Sequence, residues 1–264
     1  MAVRQKRSKR NRTKGNLASG WELFKLSLNQ FRDRPWTYLF IVAIPVVPAT
    51  ILSQSPTITA NSSVSLYLNI ASLLMTAALL WAVVEGVALD SFKLRQAYYD
   101  GARIITKLII LMIFFAIFLI PSFLGINIYS LGLSAGVNTN IGLQLLLVAI
   151  ALVLSTPTVY LMVRYLFALF VITESEKWPL DALKASKSLT LGYFWYIFGR
   201  ACQLIIWLAL LLILPIALFI GLGILFNSVV FIIMLQILVS LISFPFVTIY
   251  SHNIYKQLKD RANG

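Results

Sequence analysis

The sequence predicts an all-α, polytopic membrane protein with six transmembrane helices, arranged as three hairpins that are each preceded by a short cytoplasmic amphipathic helix. Hydrophobic residues make up 59% of the 264-residue chain and charged residues only 12%, whereas soluble domains contain about 25% charged residues. Charge is absent from three stretches, 35–84, 108–163 and 201–255, of 50, 56 and 55 residues. Because one span needs about 20 apolar residues, each stretch has room for two spans and a turn.

The basic residues set the predicted orientation. All 22 Lys and Arg lie in the N-terminal arm, after the second and fourth spans, in the C-terminal tail, or at adjoining helix ends. Since Lys and Arg accumulate in cytoplasmic loops, we expect both termini to be cytoplasmic and the protein to lie in the plasma (inner) membrane. The same rule accounts for the net charge of +13, so this charge does not indicate nucleic acid as a partner.

Residues 1–18 form a polybasic cytoplasmic arm that we expect to be disordered. Seven cations and no acid occur in its first 14 residues, and such a segment attracts anionic lipid headgroups by about 1 kcal/mol per cation. The rest of the chain divides into a membrane domain, 19–255, with units 19–89, 90–172 and 173–255, and a cytoplasmic tail, 256–264.

The first unit opens with a short amphipathic helix. Ser19 and Glu22 have the spacing of a capping box. Apolar side chains then recur on one face until Pro35 ends the helix: Trp21, Phe24, Leu28 and Phe31. The pattern predicts two spans, at about 36–52 and 64–89.

In the second unit, Asp90 is predicted to cap a short helix that ends near Gly101. A span at about 104–124 and a turn rich in Gly, Ser and Asn at 125–140 follow. The next apolar segment, 141–172, would be about 48 Å long as a helix, although the hydrocarbon core is only about 30 Å thick. It must therefore tilt, or leave the bilayer near Arg164.

The third unit begins with a charged helix, Pro179 to Leu191. Proline suits the first turn of a helix, and the carboxylate of Asp181 is stabilised at its N-terminal end. Gly192 lies where a left-handed cap is usual. A face of small and apolar side chains on this helix is expected to dock on the ends of the spans: Ala182, Ala185, Ser186 and Leu189. The last two spans are predicted at about 193–222 and 228–250.

The same unit carries a resemblance to a known family. The segment Glu174 to Gly199, and the ending Pro245 to Lys259, resemble the membrane domain of glycerophosphoryl diester phosphodiesterases and related uncharacterised six-span bacterial proteins. The candidate residues that we single out in the charged helix and just after it are Asp181, Lys184, Ser186, Gly192 and Trp195. Of these, Ser186, Gly192 and Trp195 meet the pattern of the family. The resemblance implies a membrane fold and no catalytic residue, because catalysis in such phosphodiesterases belongs to a separate barrel of about 250 residues.

The sequence contains no pattern typical of an enzyme. There is one histidine and one cysteine, and neither the acids nor the glycines have the spacing of a metal, phosphate-loop or nucleophile motif. We therefore expect no catalysis, no metal and no cofactor.

Three titratable residues lie near the cytoplasmic ends of the even-numbered spans: Glu85, Arg164 and His252. An internal repeat relates them, at offsets of 79 and 88 residues. Intramembrane charges usually pair or line a wet path, so a Glu85–Arg164 ion pair close to His252 is one interpretation. The alternative is that Arg164 and His252 reach the headgroups separately and that Glu85 pairs locally or faces water.

These patterns favour a non-catalytic integral membrane domain that interacts with membrane lipid or a partner protein, in envelope homeostasis. The alternative is a transporter or channel-like protein for a small solute or lipid, since prolines recur in the spans and transporters use such interruptions at binding sites.

Overall fold

The computed structural model describes residues 17–53, 62–85, 94–134, 141–175, 177–226 and 228–262. Residues 1–16 of the polybasic arm and the cap predicted at Asp90 lie outside them. Within these ranges all regular secondary structure is α-helical. The helices are α1 Gly20–Asp33, α2 Pro35–Ser53, α3 Ser62–Val84, α4 Leu94–Ala102, α5 Ile105–Ser134, α6 Ile141–Tyr165, α7 Ala168–Ser175, α8 Pro179–Thr190, α9 Phe194–Leu225 and α10 Val229–Ala262.

Six of the described helical segments are long and apolar enough to cross a membrane, which confirms the predicted number. They are α2, most of α3, α5, α6 together with α7, α9 and α10. Many of their apolar side chains are open to the surroundings, for example Leu214 and Ile224, which are both 78% exposed. Such exposure is expected where lipid rather than water is the solvent.

The helix α5 is longer than predicted, because the turn was expected to begin at residue 125 and the helix continues to Ser134. Polar side chains in this part bond to the helix's own carbonyls: the Asn127 amide donates to the oxygen of Phe123 at 2.7 Å. Gly125 lies against the backbone of Ala151 in α6. Here glycine and asparagine serve packing and local hydrogen bonding, so their presence does not indicate a turn.

The long apolar segment from Ile141 is interrupted just after Arg164, close to the predicted point. The carbonyl of Arg164 accepts hydrogen bonds from the hydroxyls of Ser186, at 3.0 Å, and Thr190, at 3.2 Å. A new helix, α7, starts with N–H bonds to the carbonyl of Phe167. Two hydroxyls of α8 therefore bind a carbonyl at the C-terminal end of α6, where the hydrogen bonds within that helix end.

The helix α1 has the predicted capping box, with reciprocal bonds between Ser19 and Glu22. Its buried face agrees only in part with the predicted one: Phe24 is buried as predicted, and Leu23 and Ser27 are fully buried beside it, whereas Trp21 and Leu28 are exposed. The buried side chains are those that face the rest of the protein, because α1 packs against other helices.

The docking partners of α1 are the two last long helices. The ring of Phe24 lies 5.1 Å from Trp207 of α9 and 5.2 Å from Phe246 of α10. The Asn253 amide of α10 donates to the Ser27 hydroxyl at 3.0 Å.

The helix α4 is held against α2 and α3. The Tyr98 hydroxyl donates to the carbonyl of Ile41 at 2.6 Å, and burial raises the pKa of the Tyr98 phenol to about 12, so this donor persists at any ordinary pH. A Cβ on Gly101 would lie 2.9 Å from the backbone of Ala77. Only glycine allows α4 to approach α3 this closely.

The last helix, α10, runs through Tyr250, where the span was predicted to end, and through most of the predicted tail to Ala262. Leu258 is buried, so the described part of the tail belongs to the packed structure.

The largest fully buried side chains include Tyr38, Phe167, Phe246 and Tyr250. They belong to the part of the molecule where the short helices pack on the ends of the long ones. We call this part the short-helix end: it comprises α1, α4, α7 and α8 with residues 17–19, 34–42, 103–104, 160–167, 191–207 and 246–262.

Candidate functional site

The helix α8 is the centre of the segment that the sequence analysis singled out. Pro179 is its first residue, as predicted, and follows Trp178. Ala182 and Ser186 are completely buried, and α8 packs against α5, α6, α7 and α10. The predicted small-residue face is therefore a docking face within the protein.

The charged residues of α8 point away from that contact. Asp181 and Lys184 form an ion pair of 3.9 Å in which both side chains are mostly exposed. Such pairs contribute little to stability. These two candidate residues of α8 thus lie on its exposed side, opposite the buried Ser186.

The turn after α8 redirects the chain into α9. Gly192 has a φ of 80°, the left-handed conformation that was predicted and that other residues adopt only with strain. Trp195, in the first turn of α9, is 78% exposed. An exposed tryptophan at the start of a long apolar helix is typical of a membrane–water interface.

A repeated contact at the short-helix end pairs a tyrosine with a cation four residues later. Side chains at i and i+4 are neighbours on a helix surface or at its end, and the charge lies over the ring in each case. The pairs are Tyr99–Arg103 at 5.8 Å, Tyr160–Arg164 at 5.3 Å, Tyr196–Arg200 at 4.9 Å and Tyr255–Lys259 at 5.9 Å.

Arg164 also donates a hydrogen bond from Nη1 to the hydroxyl of Tyr160. Its side chain lines a shallow cleft of about 240 Å³. The lining residues are Tyr160, Arg164, Thr190, Leu191, Gly192 and Phe194. This cleft joins a predicted polar residue, Arg164, to the predicted turn residue, Gly192.

The structure does not contain the ion pair between Glu85 and Arg164, which was one of the two interpretations of these residues. Both residues lie in the described part of the chain, and the ion pairs found there do not include this one. Glu85 follows the last residue of α3 and is half-buried. The pairing was inferred from the absence of other acids in the apolar spans, and Arg164 instead has an aromatic partner on its own helix.

His252 is placed in an aromatic group, with its ring 5.5 Å from Phe170 and 6.1 Å from Tyr255. The charged side chains whose fields act on it are Glu174, Lys256 and Lys259. The structure therefore gives His252 and Arg164 different neighbours, and no contact links them or Glu85 among the described residues.

Glu174 is an acid whose tertiary contacts the sequence analysis missed, although its side chain is partly exposed. Its Oε2 accepts a hydrogen bond from the Tyr255 hydroxyl at 2.6 Å, and its Oε1 is bound by the Lys259 ammonium. These contacts tie α7 to α10. The only sequence signal was the spacing of Tyr255 and Lys259, one helical turn apart.

Arg200 was also missed. Its Nη2 donates to the carbonyl of Ala18 at 2.9 Å and its Nη1 to Gln203 at 2.6 Å. The Gln257 amide oxygen accepts from the N–H of Ala18 at 3.3 Å. Together these contacts fix the point at which the N-terminal arm enters the folded protein.

No family model, curated protein or solved structure matches this chain. Among the described residues, no three His, Cys, Asp or Glu side chains are grouped as a metal site would require. The candidate functional site is therefore defined by geometry alone, as the Arg164 cleft and the helix junction around it.

Proposed function

We propose that this protein is a non-catalytic integral membrane protein that acts through contacts with lipid or with a partner protein, in envelope homeostasis. The observation that carries the proposal is that polar side chains at the short-helix end bind other parts of the protein. Glu174 binds Tyr255 and Lys259, and Arg200 binds Ala18 and Gln203. Glu174 thus joins α7 to α10, and Arg200 joins α9 to the segment just before α1, which is the chemistry of a rigid platform.

The proposed topology is three hairpins, α2–α3, α5–α6 and α9–α10, with the short helices and both termini on the cytoplasmic side of the plasma membrane. The members of each pair pack against each other. The basic residues that flank the spans support the orientation. The resemblance to the phosphodiesterase membrane domain supports the same arrangement and remains part of the proposal.

The alternative function is transport of a small solute or lipid. Proline in a span leaves a carbonyl without its helical donor, and transporters use such carbonyls to bind substrates. Near Pro121, however, the Thr158 hydroxyl donates to the carbonyl of Phe118 at 2.9 Å and accepts from the N–H of Ser122 at 3.3 Å. Backbone groups beside this proline are thus bound within the protein.

The test is reconstitution of the purified protein in liposomes. Three rates would be measured against protein-free liposomes: scrambling of a fluorescent phospholipid, release of an entrapped anion, and hydrolysis of a glycerophosphodiester. We expect all three rates to equal those of the control. Scrambling or release above the control would establish the transport alternative, and hydrolysis would contradict the non-catalytic proposal.

A further inference from the structure

Arg164 differs from the other three cations that lie over the tyrosine four residues before them in the sequence. Arg103 has Asp100 at 4.0 Å, Arg200 has Ala18 and Gln203, and Lys259 has Glu174. The Arg164 side chain, within the described part of the chain, bonds only to the Tyr160 hydroxyl. A guanidinium has five N–H donors and is always charged, so most of its donors remain for a ligand.

The position of these donors is set by the cleft. Arg164 and Tyr160 both line it, and the Tyr160 oxygen accepts from Arg164, which leaves the phenol proton to be donated to a third group. Tyr193 lies in the sequence between the lining residues Gly192 and Phe194. A second cation, Arg261, lies 5.3 Å from the ring of Tyr193. The neighbourhood is positive and rich in donors, which suits a phosphate group.

The rim of the cleft is apolar and open. Leu191 lines the cleft and is 63% exposed, and Trp195 follows the lining residue Phe194. The cleft adjoins α6 and α9, whose outward side chains include Leu152 and Ile205. A soluble anion would gain nothing from these apolar side chains, whereas a phospholipid would place its phosphate on Arg164 and its acyl chains along these helices.

We propose that the Arg164 cleft binds the headgroup phosphate of an anionic phospholipid. Arg164 and Tyr160 donate to the phosphate oxygens, and Leu191 and Trp195 contact the start of the acyl chains. The inference rests on the proposed function, because it names the lipid site through which the protein would act.

The test is native mass spectrometry of the full chain in detergent, titrated with phosphatidylglycerol. Loss of a charge-assisted contact to phosphate should weaken the tightest lipid-binding event about tenfold in Arg164→Gln. Tyr160→Phe, which removes one hydroxyl and keeps the ring, should weaken it about threefold. The matched control is Arg103→Gln, since Arg103 also lies over a tyrosine but is paired with Asp100, and its binding should equal that of the parent.

Several results would overturn the proposal. Phosphatidylglycerol binding by Arg164→Gln that equals the parent's would do so, as would an equal loss in Arg103→Gln. If Arg164→Gln does not fold, Tyr160→Phe decides, and unchanged binding in that variant contradicts the site. Inorganic phosphate provides the last comparison: if it raises the melting temperature as much as the lipid does, the ligand is a free anion. None of these outcomes depends on the liposome rates that test the proposed function.

Discussion

At the scale of single residues, Ser186 links the end of one long helix to a short helix. It is completely buried, and its hydroxyl binds the carbonyl of Arg164, where α6 ends. A larger side chain would push α8 away from α6.

We therefore expect Ser186→Trp to destabilise the protein by about 1–3 kcal/mol, as overpacking of a buried position usually does. The measurement is the yield and melting temperature of the purified variant. Ser188→Trp is the matched control, because Ser188 lies on the exposed side of the same helix. If the two variants melt alike, the α8 face is not docked.

Glu174 provides a second test at this scale. Its removal leaves the buried hydroxyl of Tyr255 without its acceptor, and a buried unsatisfied group costs about 1–3 kcal/mol. Glu174→Ala should therefore lower the unfolding free energy. The double variant with Tyr255→Phe should lose less unfolding free energy than the sum of the losses in the two single variants, because the two side chains bind each other.

The control for Glu174 is Asp181→Ala, which removes an exposed ion pair with Lys184 and should change the unfolding free energy by less than about 0.5 kcal/mol. Strict additivity of the Glu174 and Tyr255 changes would show that the two side chains do not interact. Chemical denaturation in detergent measures the unfolding free energy of the two single variants, the double variant and Asp181→Ala.

The sequence predicted residues that depend on local geometry, such as the capping box at Ser19 and the left-handed Gly192. Those that depend on tertiary contact were missed. Glu174 and Lys259 are 85 positions apart, and no local pattern relates them. Arg164 was paired with Glu85 because charge alone was considered, although the tyrosine one turn before each of Arg103, Arg164, Arg200 and Lys259 was visible in the sequence.

At the scale of elements, α4 is placed by close backbone contact. Gly101 lies against Ala77 of α3 with no room for a side chain. Gly101→Val should force the helices apart and lower the melting temperature, at about 1–3 kcal/mol of unfolding free energy.

The comparison variant for Gly101 is Gly199→Val. A Cβ on Gly199, in the helix α9, would meet nothing within 4 Å, so this substitution should leave the melting temperature close to the parent's. Equal losses in the two variants would mean that loss of glycine itself, rather than the contact with α3, is responsible.

Element boundaries were predicted well where charge or proline marks them and poorly elsewhere. The helix α2 starts at Pro35, and the end of α6 lies next to Arg164. The ends of α5 and α10 were placed too early, because glycine, serine and charged residues were interpreted as the end of a span. In the structure, Gly125 packs against α6 and Lys259 binds Glu174, so both helices continue.

At the scale of the whole molecule, the largest buried side chains belong to the short-helix end, while the long helices expose apolar side chains over much of their length. The number of spans could be predicted because charge-free length alone limits it. The Arg164 cleft could not be predicted, because it is formed by residues of α6, α8, α9 and the turn between the last two. These residues lie together because α8 is docked on α6.

The most direct test of the account is the topology, since the platform and the lipid cleft both require the short helices to lie together on the cytoplasmic side. Reporter fusions would be made at Thr57, Asn138 and Gly223 and at Tyr99, Trp178 and Gly264. We expect the first three to report the outside of the membrane and the last three the inside. An inside signal at any of the first three, or an outside signal at Tyr99 or Trp178, would contradict the account.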